Sequence, residues 1–171
     1  MLEHFTHKGD VKSPNIILDP AGVMEFQGRS LPENAKEIFT PVFEWMNKYS
    51  ENPAQTTDIN FKLEYFNTTS SKMIFEVLKI AESLIKDGHK VNLNWHYEKE
   101  DPDLKDEGVL ISSNLDVELN FVEIDEFDFD HFWTIFKFTF SGQNGGILFV
   151  NEPLLPKAIS DGIIANIEYP L

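Results

Sequence analysis

Residues 58–66 alternate between hydrophobic and polar side chains, which predicts a β-strand with one face in a core. The apolar face consists of Ile59, Phe61, Leu63 and Tyr65. After four hydroxyl residues the apolar positions recur at spacings of three and four, which predicts a helix that stops at Gly88. These helical positions are Ile74, Val77, Leu78, Ala81, Leu84 and Ile85. The hydroxyl residues therefore lie where a strand leads into a helix.

Further patterns predict an α/β fold. Strands are expected at residues 15–18, 23–27, 91–97 and 115–121, with the first two joined as a hairpin. A first helix should begin after Asn34, with residues 28–30 leading into it, and Pro41 should kink it. The strand–helix–strand unit over residues 58–97 predicts a crossover between parallel strands. Together these elements predict an α/β sandwich with a mixed central sheet and two main helices.

The two ends of the chain are expected to differ from this central domain. Residues 1–13 are polar and should be frayed. Residues 126–171 should form a C-terminal β-rich extension packed on the same domain, in which strands at 132–140 and 147–150 form a hairpin and extend the sheet. Its aromatic residues favour core packing, with an aromatic partner surface as the alternative. They are Phe132, Trp133, Phe136, Phe138 and Phe140.

The hydroxyl cluster has a chemistry suited to phosphate. Its members are Thr68, Thr69, Ser70 and Ser71. The first amides of a helix have no partner within the helix, and the helix dipole adds partial positive charge there. A phosphate, either bound or attached to one of these hydroxyls, is favoured at such a position. The alternative is that one of the four residues only caps the helix, because Ser and Thr are preferred caps.

Composition narrows the function classes. The 171 residues suit one domain, and the formal net charge of −15 with a single arginine, Arg29, argues against binding to nucleic acid or to an anionic membrane. The absence of cysteine excludes disulfides and thiolate catalysis. No stretch has the apolar length of a signal peptide core or a membrane span, so a cytoplasmic protein is expected.

Four ordered motifs resemble those of the SiaC-type regulatory phosphoproteins. They are GRSLPEN at 28–34, FTPVFEWMNKY at 39–49, EYFNTTSSK at 64–72 and WHYEKEDPD at 95–103, and the resemblance covers residues 14–125. It implies a STAS-like architecture and phosphorylation of the Thr in the family's Asn-Thr pair, which is Thr68 here. It also implies a cognate kinase of the histidine-kinase-like ATPase fold and a PP2C-type phosphatase. In the best-known systems of this family, the unphosphorylated form binds and activates a diguanylate cyclase.

The same motifs supply the expected partner-binding residues. These are Arg29, Ser30, Glu33, Asn34, Asn67, Lys72, Glu100, Asp101 and Asp103. Arg29 is suited to bidentate pairing with a phosphate or a partner carboxylate. An ordinary surface salt bridge is the alternative for it.

Two other functions compete with a phosphorylation switch. Acidic residues crowd the predicted loop 98–108, so a metal-assisted hydrolase using this loop and His96 is one alternative. A solvated loop is the favoured explanation of such a charge run. A phosphorylation-independent interaction module is the other. No nucleophile, phosphate-loop or metal-site motif is present, so catalytic residues, metals and cofactors are not expected.

The predicted topology also suggests how a switch would act. If the strands before Thr68 and before the acidic segment are parallel, both segments open on the same edge of the sheet. A phosphate adds about −1.5 to −2 charges. We therefore expect phosphorylation to repel an acidic partner surface by charge and bulk, without refolding the domain. Ordering of a loop by the phosphate, through Arg29, is the alternative.

Overall fold

The computed structural model describes residues 2–127, 129, 134–138 and 146–150, with the backbone alone for the last two ranges. The chain divides into two compact units, Met1–Phe127 and Asp128–Leu171. Within the described part of the first unit there are six strands and three helices. None of the helices in these ranges combines the length and apolar character that a membrane span requires.

The first unit is built on one mixed sheet. Its strands, in spatial as well as chain order, are β1 (Phe5–His7), β2 (Asn15–Asp19), β3 (Val23–Ser30), β4 (Thr56–Phe66), β5 (Lys90–Glu98) and β6 (Leu119–Ile124). Strands β1 to β3 pair antiparallel, and β3 to β6 pair parallel. The parallel strands are connected by α1 (Ala35–Ser50), α2 (Thr68–Lys86) and α3 (Pro102–Ser112). The predicted mixed α/β fold, with a hairpin followed by parallel strands, is confirmed.

Three predicted elements are wrong in extent or kind. The N-terminus was expected to be frayed, but Phe5–His7 form β1 and pair with β2. The acidic segment was expected to be a loop, but most of it is α3, which makes a third helix. The last strand of the sheet begins at Leu119 rather than at residue 115. In the first two cases a short or polar sequence is held in regular structure by pairing or packing, which local pattern does not reveal.

One face of the sheet packs against the helices and forms the core. Phe39 of α1 stacks on Phe26 of β3, with ring centroids 6.2 Å apart, and Phe26 stacks on Phe61 of β4 at 5.2 Å. Phe61 and Trp95 of β5 lie 5.4 Å apart. Each of these four side chains is 1% exposed. A continuous aromatic row therefore joins α1 to three adjacent strands.

The opposite face of the sheet is polar, and its side chains pair across the strands. Asn94 donates to Asn60 at 3.0 Å, and Asn120 donates to Asn94 at 3.3 Å. Lys62 pairs with Glu25 at 2.9 Å. Such rows follow from parallel register, since residues at matching positions face the same side. The sheet is thus apolar on its helix side and hydrogen-bonded on the other.

A bulge near the end of β4 reverses the expected alternation. Gly28 lies opposite Leu63, but the next residue, Arg29, lies opposite Tyr65, so Glu64 is an extra residue on β4. Gly28 has φ of +87°, a conformation that glycine adopts without steric cost. The prediction that Tyr65 shares the core face with Leu63 is wrong. Tyr65 is 53% exposed, and Phe66 is buried instead.

The helix boundaries agree with the sequence in part. Asn34 is the N-cap position of α1, as predicted, but its amide donates to the Glu37 side chain at 3.2 Å and does not cap the backbone. Residues 28–30 were expected to lead into this helix, but they complete β3. The helix continues through Pro41, and the kink expected there stays a prediction. Helix α2 ends as predicted before Gly88, which has φ of +89°.

In the second unit, β7 (Thr134–Phe138) pairs antiparallel with β8 (Gly146–Val150), which confirms the predicted hairpin strands. These strands form a two-stranded sheet, so the prediction that they extend the six-stranded sheet is wrong for the described pairing. The packing of the extension on the domain stays a prediction. The predicted turn at 141–146, apart from Gly146, the side chains of the aromatic cluster, and residues 151–171 lie outside the described parts of the chain.

Gly108 sets how closely α3 approaches the sheet. A Cβ atom at this position would lie 2.8 Å from the Trp95 ring. Trp95 is 1% exposed, and its Nε1 donates to the Leu104 carbonyl at 3.0 Å, so the ring has no free space to move into. Gly108 therefore holds the acidic helix against β5.

We expect Gly108→Ala to destabilise the protein by about 1–3 kcal/mol through overpacking, although alanine favours helix formation over glycine by about 1 kcal/mol. Urea unfolding measures the change. The control is Val109→Ala on the exposed side of the same helix, which should change stability by less than about 0.5 kcal/mol. A Gly108→Ala protein as stable as the wild type would contradict the packing argument.

Candidate functional site

Residues of three of the four motifs, at 28–34, 64–72 and 95–103, gather at one edge of the sheet, which we call the carboxyl edge. It is the edge where the parallel strands β3, β4 and β5 end, at Ser30, Phe66 and Glu98. Helices α1, α2 and α3 each begin just beyond it. The predicted parallel arrangement is confirmed, so the hydroxyl cluster and the acidic segment do open on the same edge.

Asn67, and not a hydroxyl residue, caps α2. Its side-chain Oδ1 accepts a hydrogen bond from the Ser70 amide at 2.8 Å. The prediction that a Thr or Ser caps the helix, and that the helix begins after them, is therefore wrong. Asparagine is as good a cap as serine, so local preference did not discriminate between the candidates. As a result, Thr68 is the first residue of the helix, and the cluster forms its first turn.

The four hydroxyls of this turn have different environments. Ser70 is fully buried, and its Oγ accepts a hydrogen bond from Ser30 Oγ at 2.8 Å. Ser71 is half-buried and donates to the Thr68 carbonyl at 3.0 Å. Thr68 and Thr69 are exposed. The cluster thus presents two threonine side chains to solvent and turns one serine into the core.

Ser30 was expected to contact a partner directly, but it is fully buried. Its carbonyl accepts a hydrogen bond from the Asn67 amide at 3.0 Å. Ser30 therefore joins the end of β3 to the start of α2 from inside. Asn67 is half-buried, and its side chain is engaged in the cap, which limits what it can offer to a partner.

The remaining expected contact residues are exposed. Arg29 pairs with Glu64, with Nε and Oε2 3.1 Å apart, and both side chains are more than a third exposed. This is the ordinary surface salt bridge that the sequence analysis gave as the alternative for Arg29, and such a pair contributes little to the free energy of unfolding. Lys72 is exposed one turn after Thr68 and forms no ion pair with the described residues. Glu33 and Asn34 are exposed before α1.

Tyr65 is a surface residue that the sequence pattern assigned to the core. It precedes the hydroxyl cluster by three positions and is 53% exposed. Tyrosine is enriched in protein interfaces, because it offers a large apolar ring and a hydroxyl on a stiff side chain. Its exposure follows from the extra residue in β4, and only Gly28 on the neighbouring strand gives a sequence signal for that bulge.

The acidic residues lie one strand further along the carboxyl edge. Glu100 is in a turn, Asp101 is the N-cap position of α3, and Asp103 is in its first turn, and all three are exposed. Desolvation, with the negative charges of Asp101 and Asp103, raises the pKa of the Glu107 carboxyl. Within the described residues no group of three His, Asp or Glu side chains is arranged to hold a metal ion.

His96 lies on the polar face of β5, opposite the aromatic side chains of that strand, as the alternation predicted. Its Nε2 is buried and has no hydrogen-bond partner among the described residues. Burial lowers the pKa of its imidazole, the positive charge of Lys62 lowers it further, and Glu25 partly opposes both. The lowered pKa favours the neutral ring, and Nε2 has no hydrogen-bonded carboxylate among the described residues.

Comparison with known proteins places this geometry in context. A model of the family described as "SiaC family regulatory phosphoprotein" matches residues 7–124. An uncharacterized protein of Pseudomonas aeruginosa (strain UCBPP-PA14) is 33% identical over 79 residues, which are 46% of this chain and 63% of that protein. The match therefore spans less than two thirds of the length of that relative.

Two crystal structures resemble the fold. Apo-SiaC from Pseudomonas aeruginosa aligns with a TM-score of 0.64 and 25% identity, over 70% of this chain and 98% of that chain. A chain in the complex of the diguanylate cyclase SiaD with its activator SiaC, from the same organism, aligns with a TM-score of 0.66 and 25% identity. That match covers 70% of this chain and 99% of the other. The range of the family model, residues 7–124, contains the strand ends and helix starts of the carboxyl edge.

The environment of His96 predicts a pH-dependent stability. Its folded pKa is lowered, so the unfolded chain binds a proton first as pH falls through about 6.5. The contribution of neutral His96 to stability is therefore present above that pH and is lost on acidification. We expect the wild type to lose stability relative to His96→Gln between about pH 7.5 and 5.5, measured by urea unfolding. Parallel curves for the two proteins would contradict this assignment.

Proposed function

The chain belongs to the SiaC family of regulatory phosphoproteins, and on this premise we propose that it is a non-enzymatic switch that acts in the cytoplasm. In its unphosphorylated form it binds and activates a diguanylate cyclase. A cognate kinase phosphorylates Thr68 and a PP2C-type phosphatase reverses this. The complex of SiaC with SiaD supports the choice of a cyclase as the partner class, because SiaC is the activator there.

One observation carries the choice of the hydroxyl cluster as the switch. Of the three helices that begin at the carboxyl edge, α1 has Glu37 and α3 has Asp103 in the first turn, whereas α2 has no acidic residue there. Negative charge is favoured at a helix N-terminus. Phosphorylation would supply to α2 the charge that the other two helices carry permanently. The cluster is therefore suited to a negative charge that is added and removed.

The geometry together with the family's motif favours Thr68 as the modified residue. Ser70 is inaccessible and Ser71 is hydrogen-bonded to the backbone, which leaves Thr68 and Thr69. Residues three and four positions apart share a helix face, so Lys72 is a neighbour of both Thr68 and Thr69. A phosphate on Thr68 would therefore lie beside an exposed ammonium group that forms no other ion pair with the described residues. The choice of Thr68 rests on the Asn67-Thr68 pair, which matches the family's Asn-Thr.

The binding surface that we propose is the exposed part of the carboxyl edge around Thr68. It combines Tyr65, the Arg29–Glu64 pair and Lys72 with the acidic residues at the start of α3. An aromatic side chain with charged groups around it is the composition of many protein interfaces. Phosphate placed within this surface would block the partner by charge and bulk. The first turn of α2 would remain capped by Asn67, so the block does not require the domain to refold.

We expect Thr68→Ala to abolish phosphorylation by the cognate kinase, because Thr68 is the exposed hydroxyl that follows Asn67, as in the family's Asn-Thr pair. Intact-mass measurement and phosphopeptide mapping report the result. Thr69→Ala is the matched control, since it removes the neighbouring exposed hydroxyl, and it should leave phosphorylation in place. Phosphate that persists on Thr68→Ala, or that is lost only from Thr69→Ala, would overturn the assignment.

The electrostatic account of the switch gives a second expectation. Thr68→Glu should weaken cyclase binding strongly at low salt, and high salt should restore part of the affinity, because salt screens exposed charges. Ser83→Glu is the control. It adds the same charge to an exposed position of α2 roughly 20 Å from Thr68, at a rise of about 1.5 Å per residue. It should bind as the wild type does.

Affinity of Thr68→Glu that stays low at every salt concentration would show that the block is steric. A changed circular dichroism spectrum or melting temperature would show that charge at this position refolds the domain. Both results would reject the electrostatic account while leaving Thr68 as the modified residue.

A further inference from the structure

Two of the buried polar residues of the domain meet at the start of α2. Ser30 and Ser70 are both fully buried, and Ser30 Oγ donates to Ser70 Oγ at 2.8 Å. They come from different elements, forty residues apart in sequence. Nonpolar side chains would fill this space without any need for a hydroxyl partner. The presence of two hydroxyls therefore calls for a role beyond filling the core.

The pair is part of a closed ring of hydrogen bonds. Ser30 donates to Ser70 through its side chain, the Ser70 amide donates to the Asn67 side chain at 2.8 Å, and the Asn67 amide donates to the Ser30 carbonyl at 3.0 Å. The Asn67 carbonyl also accepts from the Ser71 amide at 2.9 Å. Thr68 and Thr69 lie between Asn67 and Ser70 in the sequence, but they take no part in the ring and are exposed to solvent.

We propose that Ser30 is a positioning residue for modification of the hydroxyl cluster. Its hydrogen bond holds Ser70 Oγ in the core and fixes the first turn of α2. Among the hydroxyls of residues 67–70, only those of Thr68 and Thr69 are then accessible to a kinase. Ser30 would thus select Thr68 over Ser70 without touching the kinase or the phosphate. This inference rests on the proposed phosphorylation of Thr68.

The physical reason lies in the cost of an unpaired hydroxyl. Without Ser30 Oγ, the Ser70 hydroxyl would be left buried with no partner from β3, which is unfavourable unless it turns outward or the turn opens. Either response exposes Ser70. If both hydroxyls are removed together, no orphan remains and the turn should close again. The proposal therefore predicts opposite behaviour for the single and the double variant.

A matched control exists at the other end of β4. Tyr49 and Thr57 form a second buried hydroxyl pair, with the two oxygens 2.7 Å apart. Thr57 is fully buried like Ser30, but it is the second residue of β4 and lies at the opposite end of this 11-residue strand from the cluster. Thr57→Val removes a buried hydroxyl of the same kind while leaving the ring intact. It reports what general loss of stability does to the first turn of α2.

The first experiment needs no kinase. Hydrogen exchange of the full chain is measured for the peptide that covers residues 66–72. We expect Ser30→Ala to speed exchange there by about tenfold, which corresponds to about 1.4 kcal/mol. Ser30→Ala combined with Ser70→Ala should return exchange towards the wild-type rate, and Thr57→Val should not change it. Unchanged exchange in Ser30→Ala, or equal acceleration in Thr57→Val, would overturn the positioning role.

The second experiment maps the phosphate after treatment with the cognate kinase. The wild type and Thr57→Val should carry it on Thr68, whereas Ser30→Ala should carry a measurable fraction on Ser70. Faster exchange with phosphate still confined to Thr68 would overturn the selection of the site. If the wild type itself accepts no phosphate, the proposed function fails and site selection fails with it, while the exchange result still decides whether Ser30 holds the turn.

Discussion

The parallel pairing of β3, β4 and β5 is the constraint on which the rest of the structure depends. Two adjacent parallel strands cannot be joined by a tight turn, so each connection must return along the sheet, and here each return is a helix. The apolar faces of these helices bury the sheet on one side. The same pairing forces three strand ends and three helix starts onto one edge. The proposed binding surface is therefore a consequence of how the core is connected. Residues of three motifs, at 28–34, 64–72 and 95–103, meet there for that reason, whereas the motif at 39–49 runs along α1 away from this edge.

Much of this arrangement could be predicted from the sequence. The alternation in β4 and β5 and the helical spacing in α2 are strong because each element buries one face, and burial is what such patterns record. The pattern failed where the alternation between buried and exposed positions shifts by one residue within a strand. Glu64 is the extra residue of a bulge, so Tyr65 and Phe66 exchange the environments that alternation assigned to them. A bulge is defined by the register between two strands, and register is not a property of either sequence alone.

The other failures share a physical cause. Asn67 and the hydroxyl residues after it are all good caps, and the choice among them is made by Ser30, which pairs with both Asn67 and Ser70 from another strand. The acidic segment was expected to be solvated because of its charge, but Gly108 and Leu104 give it one face that fits against Trp95. In the first case contacts across the fold accompany a choice that local preference leaves open. In the second they outweigh the local preference for solvation, and the acidic groups remain exposed on the outer side of the helix.

These contacts bear on how a reversible charge at Thr68 can act. A switch that unfolds its own helix would have to overcome the buried ring around Ser30 and the apolar face of α2. A negative charge on the first residue of a helix does the opposite, since it favours the helix by about 0.3–1 kcal/mol. Phosphate at Thr68 is therefore compatible with the fold and with Lys72 one turn away. On the proposed function, the free-energy change on phosphorylation would then fall mainly on the interaction of the carboxyl edge with another protein. The position of the Thr68 hydroxyl accounts for this. It lies at the N-terminus of α2, where negative charge is favoured, and it is exposed, so a phosphate there would face any protein that binds this surface.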